Sequence, residues 1–104
     1  MIDIYENAQM TMPVEYAVIK SALLHLNKYL TNLYKKSGIR FNCISPGGIF
    51  DDQPSEFINN YNKYAGQIGM LEPDNISNVL LFLISDLASA INGENITVDD
   101  GWSL

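Results

Sequence analysis

Basic side chains are scarce in this chain. Six Lys and Arg stand against twelve Asp and Glu, a formal net charge of −6 with an isoelectric point near 4.4. Such a surface repels a phosphate backbone, which excludes nucleic acid as an expected partner. Cysteine is nearly absent as well. Cys43 stands alone in an apolar run, so no internal disulfide can form, and it reads as a small buried hydrophobe in a reducing compartment. The single histidine, His25, has no Cys or His cluster to join, so no metal site is expected and His25 reads as a solvated helix residue. No apolar run approaches the roughly 18–20 residues of a membrane span. The first residues carry Asp3 and Glu6 and lack the basic, then apolar, pattern of a signal peptide. A membrane partner is therefore not expected, and the cytoplasm is the expected location. No repeat or low-complexity tract interrupts the 104 residues, which allow one domain or part of one.

What is present begins with a long amphipathic helix. Residues 1–12 show no defensible period and read as loop. Pro13 suits a first helical turn, where a missing N–H is harmless, with Thr11 as the expected cap and Glu15 near the positive end of the dipole. From there to Lys36 neither Gly nor Pro occurs, so the helix is expected over residues 13–36. Ile19, Leu23, Leu26, Leu30 and Leu33 recur at 4-3-4-3 spacing as an apolar stripe, bordered on one side by Tyr16, Lys20, Asn27 and Thr31. Gly38 stops the helix. Residues 39–45 read as a short buried strand, bounded by Gly and Pro-Gly. A helix followed at once by such a strand is the second half of a β-α-β unit, which builds a parallel sheet with ligands beyond the carboxyl ends of its strands. Ser45-Pro46-Gly47-Gly48-Ile49 is that carboxyl end. Residues 46–70 read as a loop able to form one or two helical turns around Phe57, Tyr61 and Tyr64. A second helix is expected over 73–90 and a second strand over 95–98, after an Asn92-Gly93 turn.

The candidate chemistry lies at the head of the first helix. Tyr16 and Lys20 are four residues apart and share one helix face. A free phenol titrates near ~10 and is a poor acid or base at neutral pH. A cation held beside a phenol favours its ionised form. A phenol so placed can give a proton to a carbonyl oxygen, or take one from an alcohol. A surface Lys packed over a helical Tyr would give the same spacing, and so would an ordinary strand-exit turn for residues 45–49.

The order and spacing of the Tyr16/Lys20 helix, Ser45-Pro46-Gly47-Gly48-Ile49, Leu71-Glu72-Pro73-Asp74 and Asn95-Ile96-Thr97-Val98-Asp99-Asp100-Gly101 closely resemble the C-terminal half of a short-chain dehydrogenase/reductase. The resemblance covers residues 10–102. Its details are similar to bacterial members that modify flagellin with sugars or build nonulosonic acids. It implies an α/β fold: the C-terminal part of a Rossmann-like, doubly wound parallel sheet, with about three helices and two strands, incomplete on its own. It implies Tyr16 as catalytic acid/base and Lys20 as the cation that favours its phenolate and holds the nicotinamide ribose. It also implies that Pro46, Gly47 and Ile49 face the nicotinamide of NAD or NADP, with Ile49 meeting the carboxamide through its main chain. Residues 52–70 would be the substrate lid, and Trp102 an interface or lid residue.

Three features depart from that pattern. Asp51 stands where a Thr commonly touches the cofactor phosphates. No Ser precedes Tyr16 in the sequence, so the family's polarising Ser is expected before Met1. The Gly-rich turn that seats a pyrophosphate is missing, because Gly66-Gln67-Ile68-Gly69 has neither the G-x-G-x-x-G spacing nor a preceding strand. The expected reading is a fragment of an NAD(P)-dependent oxidoreductase that alone binds no dinucleotide and turns nothing over. The strand over 39–44 would keep an open edge and the helix over 16–36 an open face, which favours homo-oligomers through either. A non-catalytic, self-associating remnant and one half of a split enzyme are the alternatives.

Overall fold

The computed structural model describes residues 13–104. The loop expected over 1–12, and the Thr11 cap, lie outside the described residues. In chain order the elements are helix α1 (Val14–Tyr34), strand β1 (Cys43–Pro46), helix α2 (Ser55–Asn62), helix α3 (Pro73–Ile84), a 3-10 turn (Asp86–Ala88) and strand β2 (Asn95–Val98). β1 and β2 pair in parallel, Cys43 opposite Asn95 and Pro46 opposite Val98, and the connection between them runs through α2 and α3. Among the described residues β1 has no neighbour on its other edge. These are the helices and parallel strands of one end of a Rossmann-like sheet.

Side chains that reach back to the main chain decide where the elements end. α1 stops at Tyr34, short of the expected Lys36. The Ser37 N–H and hydroxyl both donate to Tyr34 O, at 2.9 and 2.6 Å, and Gly38 then turns the chain at φ +84°. The strand expected over 39–45 occupies only its C-terminal half as β1. In residues 40–42 side chains interrupt the ladder: Phe41 O still accepts from Gly93 N–H, but Phe41 N–H donates to Asn92 Oδ1, and the Asn42 side-chain amide bridges Ile91 O and Glu94 N–H. The helix expected over 73–90 opens with a reciprocal cap between Glu72 and Asn75, with Pro at its first position. It ends at Ile84. Ser85 swings out to an extended conformation while its hydroxyl donates to Phe82 O, and Arg40 takes Leu83 O. Within residues 46–70, Pro54 precedes the eight residues of α2.

The buried apolar core is small: Tyr61, Met70, Leu71, Leu83 and Ala88. It lies between β1, the segment after α2 and α3. On α1 the buried residue is Asn27, not a member of the apolar stripe. Ile19, Leu26 and Leu33 are 61, 47 and 58% exposed. The helix meets this part of the sheet along its Asn27/Thr31 edge, and the stripe faces away. No helix among the described residues is long and apolar enough to cross a membrane.

Candidate active site

The site is built on one row of α1. Residues 16, 20, 27 and 31 fall on a common helix face. The C-terminal end of that row is fastened to the turn before β2. Asn27 Nδ2 donates to Glu94 O at 3.2 Å, and Thr31 Oγ1 donates to Asn27 O at 2.7 Å while standing 3.3 Å from Phe41 O. Gly93 lets the turn come this close: a Cβ there would lie 3.0 Å from Thr31 Cγ2, and its φ is +80°. With one end fixed, the other end of the row carries Tyr16 to the carboxyl end of β1. There Tyr16 forms one wall of a cleft of about 540 Å³, opposite Pro46, Gly47 and Gly48. Tyr16 is 52% exposed. Lys20 Nζ sits over its ring, 5.5 Å from the centroid, a cation–π contact of about 0.5–1 kcal/mol at an exposed site.

The loop after β1 forms the floor, and its main chain is committed residue by residue. Gly47 N–H donates to Val98 O, Gly48 O accepts from Leu71 N–H and Phe50 N–H donates to Leu71 O. These last two bonds make Ile49 and Leu71 an isolated parallel bridge. In that pattern the N–H and C=O of Ile49 itself point to the other side. Its carbonyl accepts from Gln53 Nε2 at 2.9 Å. Its N–H has no hydrogen-bond partner among the described residues. Asp51, standing where a Thr is common in the family, donates its N–H to Gln53 Oε1 at 2.7 Å.

The far wall comes from α2 and the C-terminal segment. Tyr61 is 5% exposed, and its ring stacks on Trp102 with centroids 5.2 Å apart and planes 8° from parallel. Trp102, expected at an interface or lid, lines the cleft, and its buried Nε1 has no hydrogen-bond partner among the described residues. Asp99 is buried beside Gly47 and closes the turn after β2 by accepting from Gly101 N–H and Ser103 N–H, each at 3.0 Å. A hydrogen bond from the Ser103 side chain, then those main-chain bonds, hold its carboxyl below the ordinary value, against the opposite pull of burial. Asp100, at φ 54°, accepts from Ile68 N–H and Gly69 N–H and ties the end of the lid to the same turn.

Of the residues singled out from sequence, Tyr16, Pro46 and Gly47 line the cleft. Lys20 and Ile49 are not among the residues lining it: Lys20 sits over the ring of Tyr16, and Ile49 follows the floor residues with its N–H uncommitted among the described residues. Sequence reasoning placed Tyr61 only on an apolar helix face and gave no role to Asn27, Asp99 or Gln53. The one available signal was the polar pair Asn27 and Thr31 in register with Tyr16 and Lys20 inside a Leu-rich helix. Among the described residues no group of His, Cys, Asp and Glu could hold a metal ion.

A pocket at the carboxyl end of a parallel strand, here with a Tyr/Lys pair on the preceding helix, lies where open parallel α/β sheets bind ligands. A family model described as enoyl-(acyl carrier protein) reductase matches residues 4–103, and the chain belongs to the short-chain dehydrogenase/reductase family. It is 39% identical over 100 residues to post-translational flagellin modification protein A of Campylobacter coli, covering 96% of this chain and 39% of that protein. It is 40% identical to 3beta-hydroxysteroid dehydrogenase 2 of Eggerthella lenta, over 85% of this chain and 37% of that one. A crystal structure of a short-chain dehydrogenase from Leptospira borgpetersenii with bound NAD+ superposes with a TM-score of 0.85 at 38% identity, covering 90% of this chain and 37% of that one. The chain thus spans about two fifths of the length of these relatives.

Proposed function

We propose that this chain supplies the proton-transfer half of an NAD(P)-dependent carbonyl reductase or alcohol dehydrogenase of the flagellin-modification type. One observation carries the reading. Tyr16, with the Lys20 ammonium over its ring, faces across an open cleft a loop whose Ile49 N–H is uncommitted. The nicotinamide end of the dinucleotide fits this arrangement: Ile49 N–H offers a donor to the carboxamide, Pro46 and Gly47 offer a surface without bulk, and Lys20 offers a cation to the ribose. The adenosine end has no counterpart in these residues, which hold no Gly-rich pyrophosphate turn. When bound, the nicotinamide ring supplies or accepts the hydride. Tyr16 gives its hydroxyl proton to the carbonyl oxygen as the carbon is reduced, and takes a proton from the alcohol in the reverse direction. Lys20 keeps its ammonium over the Tyr16 ring, 5.5 Å from the centroid. Phe57, Met70 and Trp102 give the substrate side of the cleft an apolar wall. Polarisation of the substrate oxygen falls to a Ser of the remainder of the parent enzyme.

The chain alone supports no turnover on this reading, because it provides one side of the dinucleotide site. Its exposed α1 stripe and the free edge of β1 favour association with a second copy or with the rest of such an enzyme. A cytoplasmic location belongs to the same proposal, and the lone Cys43, which can form no internal disulfide, supports it. The test is Tyr16→Phe in the complete dehydrogenase that contains this segment. Loss of the proton donor is expected to lower kcat by about 10²–10⁴-fold, with the fold intact by circular dichroism. Turnover within threefold of the unsubstituted enzyme would overturn the assignment.

A further inference from the structure

We propose that Tyr61 is a positioning residue: its hydroxyl sets where the main chain of residues 47–49 stands, and so where the Ile49 N–H points. The proposal rests on reading that loop as the nicotinamide-facing floor of the site. Gly48 N–H donates to the Tyr61 hydroxyl at 2.7 Å, from an element thirteen residues further along the chain. The same oxygen would lie 2.6 Å from a Cβ at Gly47, and the ring carbons Cε2 and Cζ would lie 2.9 and 3.0 Å from a Cβ at Gly48. The two glycines therefore leave room for this phenol. The ring is clamped in turn by Trp102, 5.2 Å away and nearly parallel.

The remaining bonds of the loop show why the hydroxyl matters. Gly47 N–H is held by Val98 O, and Gly48 O by Leu71 N–H. The Gly48 N–H is held by a side chain, in a Gly-Gly step with no Cβ to limit its torsions. Removing that acceptor leaves a part-buried N–H free to turn toward water or another carbonyl, since an unmade hydrogen bond is costly. Such a turn of the peptide before Gly48 would move the start of Ile49. Lid helix α2, cofactor loop and C-terminal segment are thus joined through one phenol.

Tyr61→Phe separates hydroxyl from ring. The stack on Trp102, the sole tryptophan, is expected to survive, with its fluorescence emission unchanged. The Gly48 amide is expected to exchange with deuterium about tenfold faster, the equivalent of one lost hydrogen bond, while the Gly47 and Leu71 amides keep their protection. In the complete dehydrogenase the same variant is expected to lower kcat about tenfold with KM for the dinucleotide changed less than threefold, because a misplaced floor costs alignment more than binding. Gly48 exchange within twofold of the original chain, or faster exchange with kcat unchanged, would overturn the proposal. A measurement that needs no variant guards against misfolding. The Gly48 amide proton of the original chain should show the shallow temperature dependence of a hydrogen-bonded N–H, and a steep one would also overturn the proposal. Tyr16→Phe in the same enzyme serves as the control. If turnover persists there, the reading of the cleft fails, and the Gly48 exchange comparison still decides whether the hydroxyl holds the loop.

Discussion

Arg40 offers the sharpest test of how this fold is held together. It reaches from the segment before β1 to the end of α3. Nη2 donates to Leu83 O at 2.7 Å and Nη1 to Ile91 O at 3.0 Å. Leu83 O is one of the last carbonyls of α3, a group with no acceptor role left inside the helix. Ile91 O lies in the turn before β2, where it also accepts from Asn42 Nδ2. One planar fork thus ties the end of a helix to the entry of a strand. A hydrogen bond to a charged group contributes about 1.5–3 kcal/mol. Arg40 is only half-buried, so the low end applies to each, and Arg40→Ala should cost about 3 kcal/mol. In urea, with a slope of about 1–1.5 kcal/mol/M for a domain of this size, the unfolding midpoint should fall by about 2–3 M. Arg40→Lys keeps the charge but can serve one carbonyl at a time, so its loss should be near half. Equilibrium urea unfolding followed by circular dichroism reads both. A loss below about 0.5 kcal/mol for Arg40→Ala, the range of ordinary surface substitutions, would refute the reasoning.

Four further outcomes follow from the structure. Gly47→Ala should destabilise the chain by about 1–3 kcal/mol, because its Cβ would lie 2.6 Å from Asp99 Cβ and 3.0 Å from the backbone Cα, neither of which can give way. Gly38→Ala, with nothing within 4 Å but φ +84°, should cost only the left-handed backbone penalty of about 1–2 kcal/mol, measured by the same titration. The lowered Asp99 value stabilises the fold above the unfolded carboxyl value of about 3.9, and that contribution disappears as pH falls through the native value. Thermal midpoints should therefore fall as pH drops below the unfolded carboxyl value of about 3.9, and Asp99→Asn should flatten that fall. Sedimentation of the chain should give a dimer or larger assembly that Leu26→Glu or Leu33→Glu dissociates, both residues being about half exposed on the α1 stripe.

The residues that line the cleft were more legible in the sequence than the contacts that build it. Tyr16 and Lys20 are four residues apart on an uninterrupted helix, and local geometry alone puts them on one face. The Pro46-Gly47-Gly48 turn announces a close approach without naming the group that approaches. Asp99 and the Tyr61 hydroxyl both approach it, and nothing in the 57/61/64 apolar spacing distinguishes a phenol that accepts a hydrogen bond from a ring that fills space. Element ends were set by Ser37, Arg40, Asn42 and Ser85, whose side chains cap or displace main-chain bonds across the fold. Periodicity carries no trace of such contacts. It also overstates burial. The Leu stripe of α1 has the period of a buried face, yet the residue that packs is Asn27, because a period reports that a partner is needed and not where it lies.

The account's central claim is that these residues form one side of a reductase site, with Tyr16 as the proton donor. The most direct measurement is NAD(P)H oxidation by the chain alone and by the chain joined to the N-terminal part of its Campylobacter coli relative, each with and without Tyr16→Phe. The account predicts turnover of a carbonyl substrate only by the joined protein, falling about 10²–10⁴-fold on Tyr16→Phe. Turnover by the chain alone, or turnover by the joined protein that survives Tyr16→Phe, would contradict it.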